Sequence, residues 1–413
     1  MNIHKELVKG MFSKENINEQ LVIVKQKGLN WADLSNPAKS DVTVDENMSM
    51  IMIDEVKHRI KDAKLFADVS CGTGELVVQA VKQGFSGKAY IFDRSVVNIE
   101  ITKLRLAKLQ FNNVETVVYD TPEEFINYEI GDDMKFDIIV GNPPYEGKAQ
   151  THQKFFNKCI EDLVVDDGIV IFIQPDTAYV SKKDYVGYPI YKHTNKMKEN
   201  IKKYKTSVKL VEGTIFEGAD VATSLAITTL IKTPDKTIEV EYMSGNIYSH
   251  IDIESINKAG IEPVLYQSVK QKIESYITKN GSMHDIEYCD INSRDPKVVY
   301  KIAMLRGNRG TDDFYTMVTR DKDKHKVEDS CFGFKIEPDQ EESMYSYLTS
   351  FLARFALSIY KTNTNNHVGE MRIVPLVSFD RIWTDEMLAK EWEVSNDELD
   401  AIKKILPDYY NIC

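Results

Sequence analysis

The run Phe136-Asp137-Ile138-Ile139-Val140-Gly141-Asn142-Pro143-Pro144-Tyr145 carries residue types able to do chemistry on a planar nitrogen. A short apolar segment of buried-strand character leads straight into a carboxamide, two prolines and an aromatic ring. Each proline fixes φ near about −65° and removes a backbone donor. A proline also disfavours helix at the residue before it, so Asn142 should be extended. The chain leaving the strand is therefore stiff, and it presents one amide, carbonyls without a competing N–H, and a ring. That suits holding a planar nitrogen group under an aromatic face. Proline-rich turns after strands are also ordinary structure, so the run takes its meaning from a second one upstream.

That second run is Leu65-Phe66-Ala67-Asp68-Val69-Ser70-Cys71-Gly72-Thr73-Gly74-Glu75. Its glycines let a backbone approach a ligand closely, at the point where a helix begins. No Gly-Lys-Ser/Thr follows, which excludes a phosphate-binding P-loop, and the third glycine of the dinucleotide fingerprint is missing. Asp93 ends the next strand 19 residues after Gly74, where a carboxylate binds ribose hydroxyls, and Asp120 ends the third strand, within reach of an adenine ring. Asp68 beside the glycine turn would repel a phosphate and attract an ammonium group. Each acid alone reads equally as a helix cap or turn residue. Acids at 68, 93 and 120 and an amide at 142, in register at four successive strand ends, point instead to a nucleoside with a charged amino-acid tail: S-adenosylmethionine.

The elements that must position these residues follow from periodicity. Candidate strands are Leu65–Val69, Ala89–Phe92, Val114–Tyr119, Phe136–Val140, Ile169–Gln174, Val208–Val211 and Ala226–Ile231. Helical stretches fall at Glu75–Lys82, Val96–Leu109, His152–Val164 and Lys196–Tyr204. Such alternation predicts an α/β, doubly wound Rossmann-like domain over residues 65–235. Residues 1–64 read as a helical extension, with Met48–Ile60 at helical spacing behind the acidic start Asp45-Glu46. Beyond Thr233-Pro234-Asp235 the alternation is lost. Residues 236–413 read as a mixed α+β domain with one strongly apolar helix, Ser343–Lys361, and a last helix, Asn396–Leu406.

Composition bounds the setting. The chain has 413 residues, enough for two domains. Its five cysteines are an odd number without a C-x-x-C pair, which predicts reduced thiols in a cytoplasmic protein and no metal site. No apolar run approaches a membrane helix, and no membrane partner is expected. A net charge of −12 argues against a general nucleic-acid coat but not against a local basic surface. One such stretch runs from Lys182 and Lys183 to Lys209, with Tyr179, Tyr185, Tyr188, Tyr191 and Tyr204 interleaved; the plainer reading is a solvated helix face and loop.

Together these residues resemble the amino-methyltransferases that modify adenine N6 in DNA, gamma-ordered enzymes of restriction–modification systems and bacteriophages. The resemblance is specific over roughly residues 43–232. It places the cofactor loop on Asp68 to Gly74, with Val69 where the family usually has proline. The ribose acid falls on Asp93, the adenine-contact acid on Asp120, and the catalytic motif on Asn142, Pro143, Pro144 and Tyr145. Thr43-Val44-Asp45-Glu46-Asn47-Met48 looks like the segment that closes over the methionine moiety, with Val44 replacing proline. Val374-Pro375-Leu376 and Trp383-Thr384-Asp385-Glu386 resemble the tail of larger enzymes with target-recognition domains.

The resemblance implies double-stranded DNA as substrate, raises a cognate restriction endonuclease as a partner, and places the chain in the cytoplasm of a bacterial or phage-infected cell. DNA contacts are expected from Lys182 and Lys183 and from two polar loops. These carry Arg306, Asn308 and Arg309, and Asn365 and His367, and include the residue types that read guanine and adenine edges. Two other readings compete: methylation of a protein glutamine, as in release-factor methyltransferases that share Asn-Pro-Pro-Tyr, and a DNA- or cofactor-binding homologue without activity.

Overall fold

The computed structural model describes residues 44–131, 134–145, 150–180, 192–211, 225–257, 260–290, 302–305, 317–319, 332–334, 336–360, 371–372 and 374–406. The chain divides into two compact units, residues 1–176 with 185–250 and residues 177–184 with 251–413.

In the first unit Asp45 caps helix α1 (Glu46–Asp54), its carboxylate accepting from the Met48 amide at 2.7 Å. Strands β1 (Leu65–Asp68), β2 (Lys88–Asp93), β3 (Val114–Val118), β4 (Phe136–Gly141) and β5 (Val164–Pro175) follow. Between them lie helices α2 (Glu75–Lys82), α3 (Val96–Lys108), α4 (Pro122–Ile126) and α5 (Thr151–Lys158), the last continued by a π turn, Cys159–Leu163. Helix α6 (Lys192–Lys203) leads into β6 (Lys205–Val211), β7 (Leu225–Ile231), β8 (Ile238–Glu241) and β9 (Ile247–Ser249).

The sheet order is β3-β2-β1-β4-β5-β7-β6-β8-β9. Pairs from β3 through β5 are all parallel, and β7 runs antiparallel between β5 and β6. The order reverses between β1 and β4, the topological switch point at which open α/β sheets bind ligands. Helices cover the strands, so Phe66, Ala67, Ile138, Ile139, Val140, Ile171 and Ile173 are buried. This is the expected doubly wound, Rossmann-like α/β fold. It differs from the sequence reading at its far edge, where β8 pairs parallel to β6 and carries the sheet past residue 235.

The second unit holds α7 (Pro263–Asn280), a sheet of order β10-β13-β11-β12, helices α8 (Glu341–Thr349) and α9 (Phe351–Tyr360), then α10 (Asp385–Glu391) and α11 (Asn396–Ile405). The sheet strands are β10 (Tyr288–Asp290), β11 (Ile302–Leu305), β12 (Met317–Thr319) and β13 (Phe332–Phe334). The single apolar helix expected at Ser343–Lys361 is two helices. Ser350 turns extended (ψ 154°), and its Oγ accepts from the Ala353 amide at 3.2 Å, capping α9. Among the described residues no helix is long and apolar enough to cross a membrane.

Helix α11 is tied to α7 by Lys272, whose ammonium lies 2.6 Å from Glu398 Oε2, while Ser268 Oγ donates to Oε1 at 2.7 Å and the Ser395 amide to Oε2 at 2.7 Å. Burial pushes the Glu398 carboxyl up, but these donors outweigh it and bring it down to about 2. A depressed carboxyl stabilises the fold above its unfolded value of about 4.5 and loses that contribution as pH falls toward 2. Glu398→Gln should therefore cost about 2 kcal/mol at neutral pH and flatten the acid loss in that window, read by urea unfolding over a pH series.

Candidate active site

The glycine loop is built by its neighbours. The Val69 amide donates to Val140 O at 3.0 Å and the Cys71 amide to Phe92 O at 2.9 Å, so the loop hangs between β4 and β2. Gly72 and Gly74 sit at φ +50° and +85°, the left-handed region that glycine adopts without strain. A Cβ on Gly74 would lie 2.5 Å from Thr102 Cγ2. Helix α3 clamps the loop from the other side. Thr102 Oγ1 donates to Gly72 O at 3.2 Å, and Arg105 donates to Thr73 O at 2.7 Å while paired with Glu75.

Asp93, at the end of β2, is buried and accepts from the Gly72 amide at 2.8 Å, the Ser95 amide at 2.7 Å and Asn98 Nδ2 at 3.1 Å. Burial pushes its carboxyl up and these donors oppose the rise. Asp68 is fully buried, and neither carboxylate oxygen has a hydrogen-bond partner. Burial, reinforced by the Asp93 charge and opposed by the nearby Ser70 and Val77 amides, pushes its carboxyl up to about 8. Cys71 is buried between Asp93 and Thr102, which keeps it a thiol. The Thr73 hydroxyl is buried and unpartnered. An orphaned acid beside two positive-φ glycines, with a second acid one strand over, fits a cationic amino-acid group joined to a sugar.

Strand β4 ends level with β1, because Asp68 pairs with Val140. The Asn142 amide then donates to Ser70 Oγ at 3.1 Å, fastening the proline turn to the glycine loop. The Tyr145 hydroxyl lies 2.6 Å from Asn142 Oδ1 and 3.1 Å from Ile173 O, and burial raises its pKa. Its ring meets His152 edge-on, with centroids 5.9 Å apart.

The structure thus gathers Asp68, Cys71, Gly72, Thr73, Gly74, Asp93, Asn142, Pro143, Pro144 and Tyr145 at the carboxyl ends of β1, β2 and β4. Asp120 lies just past β3, exposed, its backbone amide donating to Glu124. Val44 and Met48 pack in the same apolar cluster as Cys71 and Leu76. Thr43, Lys182, Lys183, Arg306, Asn308, Arg309, Asn365 and His367 lie outside the described residues. In the basic stretch, Lys196 pairs with Glu161 and Lys209 with Glu241, and Tyr179 is fully buried, so that ring does not belong to an exposed aromatic surface. Sequence reasoning missed Ser70, Thr102, Arg105 and His152. The spacing of Thr102 and Arg105, one turn apart on the helix that follows Asp93, was the available signal.

Residues 40–205 match the methyltransferase small domain family. Modification methylase CviBIII of Paramecium bursaria Chlorella virus NC1A is 32% identical over 124 residues, 26% of this chain and 30% of that protein. Type II methyltransferase M.VspI of Vibrio sp. (strain 343) is 32% identical over 93 residues, 22% of this chain and 21% of that one. Release factor glutamine methyltransferase of Buchnera aphidicola subsp. Acyrthosiphon pisum is 28% identical over 139 residues, 33% of this chain and 46% of that one. Each match spans less than half the relative's length. Over these segments the chain is similar to proteins named as DNA modification methyltransferases.

Asp68 also sets a pH dependence. An acid raised from 3.8 in the unfolded chain to about 8 in the fold contributes stability at low pH. That stability is lost as pH climbs between those values. Without a bound cation, Asp68→Asn should therefore gain on the parent protein as pH rises from 4 to 8, the gap widening by at most about 5 kcal/mol. Parallel urea-unfolding curves across that range would show the carboxyl is not buried in its neutral form.

Proposed function

We propose that the chain transfers the methyl group of S-adenosylmethionine to the exocyclic N6 of adenine in double-stranded DNA. The observation that carries this reading is the bond from the Asn142 amide to Ser70 Oγ, which sets an amide acceptor beside the glycine loop. S-adenosylmethionine, when bound, supplies an electrophilic methyl on a sulfonium. Asp68 would hold its ammonium group, Asp93 would use its remaining lone pairs on the ribose hydroxyls, and Asp120 lies on the adenine side.

The adenine amine is a poor nucleophile because its lone pair is delocalised into the ring. An amide oxygen has two lone pairs. At Asn142 Oδ1 the Tyr145 hydroxyl takes one and fixes the carboxamide's orientation. The other, with the Pro143 carbonyl, accepts the two amine hydrogens and favours a pyramidal nitrogen. Such preorganised acceptors are strongest where water is excluded. Inside a duplex N6 is stacked away from any such site, so the base must be extruded. Phosphate and base contacts are assigned to Lys182 and Lys183 and to the loops bearing Arg306, Asn308, Arg309, Asn365 and His367. A cognate endonuclease would then cut the unmodified site.

The match to a glutamine methyltransferase favours a second reading, since a glutamine amide is also a delocalised planar nitrogen. Incubation with methyl-labelled cofactor and either duplex DNA or total protein separates the two: label in adenine of digested DNA supports the first, label confined to protein overturns it. Asn142→Ala should lose turnover by at least about 100-fold with cofactor affinity near that of the parent chain by calorimetry. Tyr145→Phe, which keeps the ring but frees the carboxamide, should lose about tenfold in kcat. Normal turnover in the Asn142 variant would sink the assignment.

A further inference from the structure

The first turn of α5 departs from the rule that buried polar groups are paired. Thr151, His152 and Gln153 are all buried. The helix is entered through Gln150 at φ +51°, a left-handed conformation rare outside glycine. Much of this polar surface is satisfied locally. Gln150 Nε2 donates to Thr194 Oγ1 at 2.7 Å, and Thr194 Oγ1 donates to Gln153 Oε1 at 2.8 Å. Gln150 Oε1 is buried without a partner, and His152 departs furthest, since both of its ring nitrogens are buried without one. Its ring lies edge-on to Tyr145, the aromatic residue of the catalytic turn.

A buried imidazole with neither nitrogen paired is costly, and such groups in native folds call for an explanation. Burial holds its pKa down at about 4, and the positive end of the α5 dipole works in the same direction, so the ring is neutral, with one N–H donor and one acceptor. Structural histidines are oriented by a partner on at least one nitrogen, and this one has none. A ligand group placed beside Tyr145 would lie next to this ring and could supply that partner.

We propose that His152 is a substrate-contacting residue whose ring N–H donates to a ring nitrogen of the target adenine next to its exocyclic amine. The inference rests on the adenine reading above and deepens it. With N6 received by Asn142 and Pro143, the ring acceptors on either side of that amine are N1 and N7, and a single donor beside the turn serves one of them. His152 then recognises the base through an atom that takes no part in methyl transfer.

The test deletes the acceptor rather than only the donor. Oligonucleotides carrying adenine, 1-deazaadenine or 7-deazaadenine at the target are compared with the full-length parent chain and His152→Ala. For the parent chain, one deaza substitution should lower kcat/KM about tenfold, mostly through KM. His152→Ala should show the same loss on adenine and no further loss on that deaza base. His152→Gln, which keeps a donor, should recover part of it. Cofactor affinity by calorimetry should stay unchanged throughout.

A parent chain indifferent to both deaza bases, or a variant that loses as much again on them, overturns the proposal. So does a loss of cofactor binding in both variants, which would mark His152 as structural. A parent chain that transfers no label to DNA defeats the adenine reading instead. His152 is then decided without turnover: its ring ¹⁵N resonances should shift on adding a single-adenine oligonucleotide with an unreactive cofactor analogue, and their failure to shift overturns the contact.

Discussion

The parallel pairing of β1 with β4 is the constraint on which the site depends. Phe66, Ala67 and Asp68 pair with Ile138, Ile139 and Val140, and Asp137 reaches back to accept from the Lys64 and Leu65 amides at 2.7 and 2.9 Å. Register is therefore held at the entry of β1 as well as along it. With a side-chain period of two residues, a slip by one would turn Asp68 to the opposite face of the sheet, away from its place beside the glycine loop. Because the register is fixed, the chain leaves both strands at one level, and the Asn142 amide meets Ser70.

That constraint also explains how the buried charge is tolerated. Asp68 and Asp93 lie on neighbouring strands, and each is raised by burial. Asp93 is offset by three donors, while Asp68 has none of normal geometry. The loop therefore keeps Asp68 protonated up to about pH 8, and a cation placed beside it would favour the charged form. Helix α3 makes this possible by holding the loop through Thr102 and Arg105, so that the loop does not rearrange to relieve Asp68.

Much of this was legible because it depends on local chemistry. Strands β1 to β7 announced themselves as short apolar runs, and the glycines and prolines marked the two turns. What escaped notice depended on distance or on a single residue. β8 and β9 are short and half-exposed, so their membership of the large sheet is set by the pairing of β8 to β6 and of β9 to β8, which periodicity does not encode. Helix α7 carried a readable signal in Pro263 at its first position, in Tyr266, Val269 and Ile273 at helical spacing, and in Gly281 just past its end. The break at Ser350 rests on one hydroxyl capping a new helix within an otherwise continuous apolar pattern. His152 was invisible for a different reason, because burial without a partner is a property of the fold and not of the residue.

The two sides of the crevice divide their chemistry by charge. The β1 and β2 side carries acids, which suit a cofactor cation and which burial makes responsive to it. The β4 side carries an amide, two imino acids, a phenol and a neutral imidazole, and Tyr145 and His152 are both kept uncharged by burial. Pro143 and Pro144 have no backbone N–H, and the Asn142 N–H is engaged by Ser70, so no main-chain donor from residues 142 to 144 is left to compete for the acceptors. The turn therefore offers the Pro143 carbonyl and an Asn142 Oδ1 steadied by the Tyr145 hydroxyl, with no main-chain N–H of its own set against them. The stiffness of the turn and the register of β1 with β4 thus serve one end, which is to hold those acceptors in place beside the glycine loop.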